Sequence, residues 1–174
     1  MSDSANTTFS NQRPRMRTAI LSVAASAVIL VLKFVAYRIS GSAALKSDAM
    51  ESVVNVVASV FALGAIVFAG QPADREHPYG HGKMEFFSAA FEGGLISLAS
   101  VLIFYEAGRA FLEGPQLRNL GIGLALNLCA GALNGFLGFY LIRRGKALHS
   151  KAIEADGHHV LTDFYTTLGI GAGL

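Results

Sequence analysis

Four polar residues interrupt two long apolar runs. Glu51 and Asn55 lie in the run 49–69, and His159 and Asp163 lie in EADGHHVLTD near the C-terminus. Each pair is four residues apart, so on a helix its members share one face, one turn apart. A carboxylate in hydrocarbon is costly and normally faces a bundle interior or a water path. If the two faces meet at one depth, they offer two carboxylates, one imidazole nitrogen and one amide oxygen. That set suits tetrahedral Zn2+ and tolerates Fe2+, Mn2+ or Co2+. Two ionised carboxylates also neutralise one dication. Plainer readings stand beside this one: Glu51 and Asn55 as a structural pair joining helices, and His159 as an interfacial cap.

A third group lies in the stretch QPADREHPYGHGKMEFFSA, where Asp74, His77 and His81 fall within eight residues. Imidazoles and a carboxylate at such spacing can bind a transition metal, and they can equally form a solvated cap for the next helix. Pro78, Gly80 and Gly82 favour an irregular loop over a helix there. Glu85 and Glu92 share a helical face; Glu92 is placed toward the interior and Glu85 at the interface. Asn127, Asn134 and the small pair Gly131 and Gly135 mark a face for close helix packing. The single cysteine, Cys129, excludes an intrachain disulfide and is placed in the core. No nucleophile constellation and no glycine-rich phosphate loop is present, which argues against an enzyme and against an ATP-driven engine.

These groups need membrane helices to hold them. Of 174 residues, 52% are hydrophobic and only 15% charged, and the mean hydropathy is +0.46. Soluble domains carry about 25% charged residues. A net charge of +2 is too small for a nucleic-acid binder that works by bulk electrostatics. The hydropathy pattern predicts an all-α, multispanning helical membrane bundle. It has a polar N-terminal tail, 1–17, and five transmembrane helices over about 18–37, 49–69, 86–105, 120–142 and 156–174. Lys33 sits near the far end of the first helix, where it is expected to snorkel. Basic residues favour the cytoplasmic side. Arg13, Arg15 and Arg17 in the tail, and Arg143, Arg144, Lys146 and Lys151 around the fourth-to-fifth connection, place both inside. Helix alternation puts the loop of Asp74 on the same side. Arg38, Lys46, Arg109 and Arg118 fall opposite, and Leu174 falls outside. The last stretch, FYTTLGIGAGL, stops in mid-pattern, so the sequence reads as a fragment or truncated product of a longer membrane protein.

Three stretches resemble the cation diffusion facilitator family. GSAALKSDAMESVVNVVAS is similar to its second helix, HPYGHGKMEFFSA to the start of its third, and EADGHHVLTD to the start of its fifth. The resemblance runs from about Arg17 to Leu174. It implies a six-helix membrane domain followed by a cytoplasmic domain, working as a homodimer in the cell inner (plasma) membrane. The implied activity is secondary transport of a divalent transition metal out of the cytoplasm in exchange for protons, with Zn2+ first and Fe2+ or Mn2+ next. The metal is transported substrate rather than cofactor. The alternative is a non-transporting membrane subunit paired with a complete paralogue. The family's intramembrane ligands fall on Glu51, Asn55, His159 and Asp163. The family more often has Asp or His, then Asp, on its second helix, so Glu51 and Asn55 are departures. Its loop site falls on Asp74 and His81, with His77 as an added ligand.

Overall fold

The computed structural model describes residues 3–113 and 120–173. Five helices occupy them: α1 (Asp3–Ser40), α2 (Ala43–Ala69), α3 (Lys83–Glu113), α4 (Leu120–Ala147) and α5 (Lys151–Gly173). All are longer than the apolar runs suggest, because hydropathy marks only the stretch that lipid requires. Residues 3–17 continue α1 as polar turns. Arg118 and Leu174 lie outside the described residues, as does the side chain of Arg109. Four helical stretches are long and apolar enough to cross a membrane: Gln12–Ser40, Ala43–Ala69, Lys83–Tyr105 and Gly121–Ala147. α5 falls short of that mark because it carries acids and histidines along its length.

The helices close a ring in the order α1, α2, α3, α5, α4, with α2 and α5 also touching across it. α1 ends at Gly41, whose φ of 62° only glycine adopts cheaply. Its N–H reaches Tyr37 O at 2.8 Å and turns the chain at once into α2. α4 and α5 are the tightest pair. A Cβ on Gly138 would lie 2.9 Å from Gly157 O, and one on Gly157 would lie 2.7 Å from Ile142 N, so the two backbones meet where neither has a side chain. Gly131 and Gly135 face Thr167 and Phe164 on α5, as the small-residue spacing anticipates.

The bundle is polar inside and apolar outside. Val28, Val31, Val101, Phe104, Ile122, Phe136 and Phe139 are exposed, while Lys33, Asp48, Asn55, Glu92, Asn127, Asn134, Asp156 and Asp163 are buried. Water would drive the reverse sorting; lipid permits this one, because hydrocarbon accepts the outer side chains and the polar groups pair within. Cys129 belongs to the outer surface rather than the core. Helical spacing aligns the interior: Ser22, Ser26 and Lys33 on α1, Asp48, Ser52, Asn55 and Ser59 on α2, and Asp156, His159, Asp163 and Thr167 on α5.

One end of the ring is closed by Arg15. It donates to Leu148 O at 3.1 and 2.8 Å and pairs with Glu85 at 2.8 Å. Ser150 donates to the other oxygen of Glu85. Glu85 is therefore a buried tie between α1, α3 and the α4–α5 turn, not the interfacial charge expected of it. The polar extension of α1 brings Arg15 within reach.

Candidate metal centres

Asp48 and Glu51 are three apart on α2, so both face α5, where Asp163 meets them. One carboxylate oxygen from each lies within 4.8 Å of the others. Three such charges repel by roughly 3 kcal/mol per pair at an effective dielectric near 20. Lys33 offsets this. Its Nζ donates to Asp48 Oδ1 at 2.9 Å and to Asp163 Oδ2 at 2.6 Å, and its side chain is 0% exposed. The snorkelling expected of Lys33 is thus wrong: the ammonium turns inward, because two carboxylates compensate it better than a distant interface.

The remaining donors sort the two aspartates. Asp48 is saturated, with Lys33 and Thr167 on Oδ1 and Asn127 on Oδ2 at 2.7 Å. Asp163 is half used. Its Oδ2 accepts from Lys33, Asn134 and Ser52. Its Oδ1 is buried without a partner, as are both ring nitrogens of His159 one turn earlier. Buried polar atoms are normally paired, so three unfilled acceptor or donor positions in one interior require an explanation.

The structure brings Glu51 and Asp163 together, and Asn55 is buried one turn beyond Glu51 on α2. His159 is buried on the same face but stands outside the 4.8 Å group, whose third member is Asp48. Asp48, Lys33, Asn127 and Asn134 were not identified from sequence as parts of this site. Signals existed for three of them: Asp48 is one turn before Glu51, and Asn127 and Asn134 are two turns apart on one face.

Two turns nearer the Arg15 end lies a second buried acid. Asp156 accepts from Ser22 at 2.5 Å and from Ser59 at 2.8 Å. Glu92, also buried, approaches it from α3 and keeps Oε2 unpartnered. Carboxylates and hydroxyls thus line the interior between the Arg15 end and Asp163.

The loop between α2 and α3 forms a separate cluster. Asp74, His77 and His81 each place one ligand atom within 4.8 Å of the others. Asp74 Oδ1 is 3.1 Å from His77 Nδ1, and Oδ2 is 3.4 Å from His81 Nε2. The backbone N–H groups of His77 and Glu76 also donate to Oδ1, at 2.6 and 2.9 Å. The backbone bond from His77, aided by the His77 ring, holds the Asp74 carboxyl below the usual carboxylate range. His81 is buried against Phe68, with Nδ1 unpartnered. As expected, the stretch is irregular, with Gly80 at a φ of 79°.

His81→Ala should weaken a metal bound at this loop at least tenfold, since it removes one of three donors, and leave binding among the helices intact. Acid should weaken binding here through proton competition for the ligands, with Asp74 resisting longest among carboxylates because its carboxyl is held below the usual range. Calorimetric titration with Zn2+ checks both; loss of binding at Asp163 in a folded His81→Ala protein would contradict this independence.

A family model described as the cation efflux transmembrane domain matches residues 19–174. The chain is 43% identical over 152 residues to the uncharacterized transporter sll1263 of Synechocystis sp., covering 87% of this chain and 49% of that protein. It is 30% identical over 158 residues to the manganese efflux system protein MneP of Bacillus subtilis, covering 91% and 53%. It is 32% identical over 146 residues to the cation-efflux pump FieF of Serratia proteamaculans, covering 83% and 48%. The chain spans about half the length of these curated relatives. With its model covering nearly the whole chain and its polar-inside helical ring, this multi-pass integral membrane protein belongs to the cation efflux, or cation diffusion facilitator, family, whose members are transporters rather than enzymes.

Proposed function

We propose that the chain is the membrane portion of a secondary transporter that moves a divalent transition-metal cation out of the cytoplasm in exchange for protons. The observation that carries this reading is the set of unfilled groups at the centre of the ring. Asp163 Oδ1 and both nitrogens of His159 lie buried without partners, and Asp163 also clusters with Glu51 on α2. Glu51, Asn55, His159 and Asp163 are the proposed ligands, and α5 is the proposed fifth crossing. A mixed oxygen and nitrogen set favours Zn2+, then Fe2+ or Mn2+, over the softest ions. The naming of one relative for manganese keeps Mn2+ among the candidates.

Proton exchange needs no covalent chemistry. Carboxylates and imidazole bind either a proton or the ion, so an acidic compartment displaces the metal from shared ligands. The N-terminus, the loop of Asp74 and the α4–α5 turn are proposed to face the cytoplasm, which makes Asp74, His77 and His81 an entry station. A homodimer in the plasma membrane is the proposed assembly.

The test is flux in sealed vesicles containing the purified protein. With an acidic lumen, external Zn2+ or Mn2+ should accumulate while the lumen loses protons. Metal flux that is indifferent to the pH gradient, or absent in a folded protein, would overturn the reading.

A further inference from the structure

Lys33 is a fully buried cation in a site proposed to carry cations. Burying an ammonium costs several kcal/mol and is tolerated only with close compensation. Its Nζ sits 2.9 Å from Asp48 and 2.6 Å from Asp163, tying α1 to both ligand-bearing helices. A lysine used only as a strut would be served by Asp48 alone. This one also occupies Oδ2 of Asp163, leaving only Oδ1 of that carboxylate open.

We infer that Lys33 is a built-in counter-ion of the transport site. It lowers the negative charge of the cluster and competes with the transported ion for Asp163. The inference rests on the transport-site reading above. The shared carboxylates carry it. Asp48, Glu51 and Asp163 gather in one acidic cluster, and the Lys33 ammonium offsets part of its charge through Asp48 and Asp163. A dication offsets more of the remaining charge than a monovalent cation does. Without Lys33, a dication meets more negative charge and is held more tightly, so it leaves more slowly. Lys33 thereby sets both preference and release, keeping its charge throughout and touching the ion only through the shared carboxylate.

The experiment is a charge cycle, read by Mn2+ and Zn2+ titration of the detergent-purified protein and by vesicle flux. Lys33→Met should bind dications at least tenfold more tightly and transport them more slowly. Lys33→Arg keeps the charge and should stay within a few-fold of the parent. Asp48→Asn removes one negative charge and should bind at least tenfold more weakly. Lys33→Met combined with Asp48→Asn restores the parental net charge and removes both members of the buried pair, so it should fold and return to parental affinity. If Lys33→Met alone does not fold, the double variant measured against Asp48→Asn still decides. Equal affinity of those two overturns the inference, as does unchanged or weaker binding by a folded Lys33→Met protein. Failure of the transport-site reading looks different: Asp163→Ala would then bind and transport as the parent does, whatever Lys33 becomes.

Discussion

Asp163→Ala is expected to bring cation flux to the level of protein-free vesicles. Three other helices converge on this carboxylate: Lys33 from α1, Ser52 from α2 and Asn134 from α4 all donate to it. Its other oxygen is the open ligand position. The alanine removes that position and one of two fixed charges among the four proposed ligands, so the fall in affinity should exceed 100-fold. It also strips Lys33 of one partner and takes the acceptor from the buried Asn134 amide, a loss worth about 1–3 kcal/mol. Some loss of thermal stability should therefore accompany the loss of flux. Asp163→Asn separates the two effects. It keeps shape and one acceptor, so the protein should fold close to normally while flux still falls by at least tenfold. Uptake of Zn2+, Fe2+ and Mn2+ into sealed vesicles, with elution and melting profiles as controls, is the measurement. Parental flux in either variant would remove Asp163 from the mechanism.

Helix number, the irregular loop and the sharing of faces were legible because each depends on one segment. Residues four apart on a helix share a face whatever the rest of the chain does, so Glu51 with Asn55, and His159 with Asp163, needed no tertiary knowledge. The clustering of Asp74, His77 and His81 is likewise local. Lys33 shows where this stops. Its position near the end of an apolar run fits snorkelling and inward pairing equally, and the choice depends on α1 standing beside the α2 and α5 acids. Glu85 fails for the same reason, since its partner Arg15 is 70 residues away in a segment that hydropathy scores as tail. Asn127 and Asn134 have the right spacing, but only the ring order, with α4 packed between α1 and α5, gives them Asp48 and Asp163 to hold. Cys129 was misplaced because a small thiol reads as core by habit, whereas here the outside is the apolar side.

Asn55→Asp should change which ion is preferred and how steeply binding depends on pH. Asn55 is buried on α2, one turn beyond Glu51. A carboxylate there replaces the neutral amide with a charged acceptor beside the cluster of Asp48, Glu51 and Asp163. Four acidic groups facing one another cannot all stay charged in an empty, dry site. The empty variant must therefore hold one more proton than the parent, and an incoming dication must release it. Log affinity should then rise with pH more steeply by about one unit per pH unit, because one further proton is displaced per ion bound. Near neutral pH the variant should hold dications more tightly, and below about pH 6 that advantage should vanish. The added oxygen also makes the donor set harder, so Mn2+ should gain on Zn2+ by several-fold. Competitive titration of the two ions from pH 5.5 to 8, paired with vesicle flux, reads both effects. A folded Asn55→Asp protein with parental selectivity and parental pH dependence would place residue 55 outside the ion's reach. Asp48, which lies with Glu51 and Asp163 in the acidic cluster, would then take its place among the ligands.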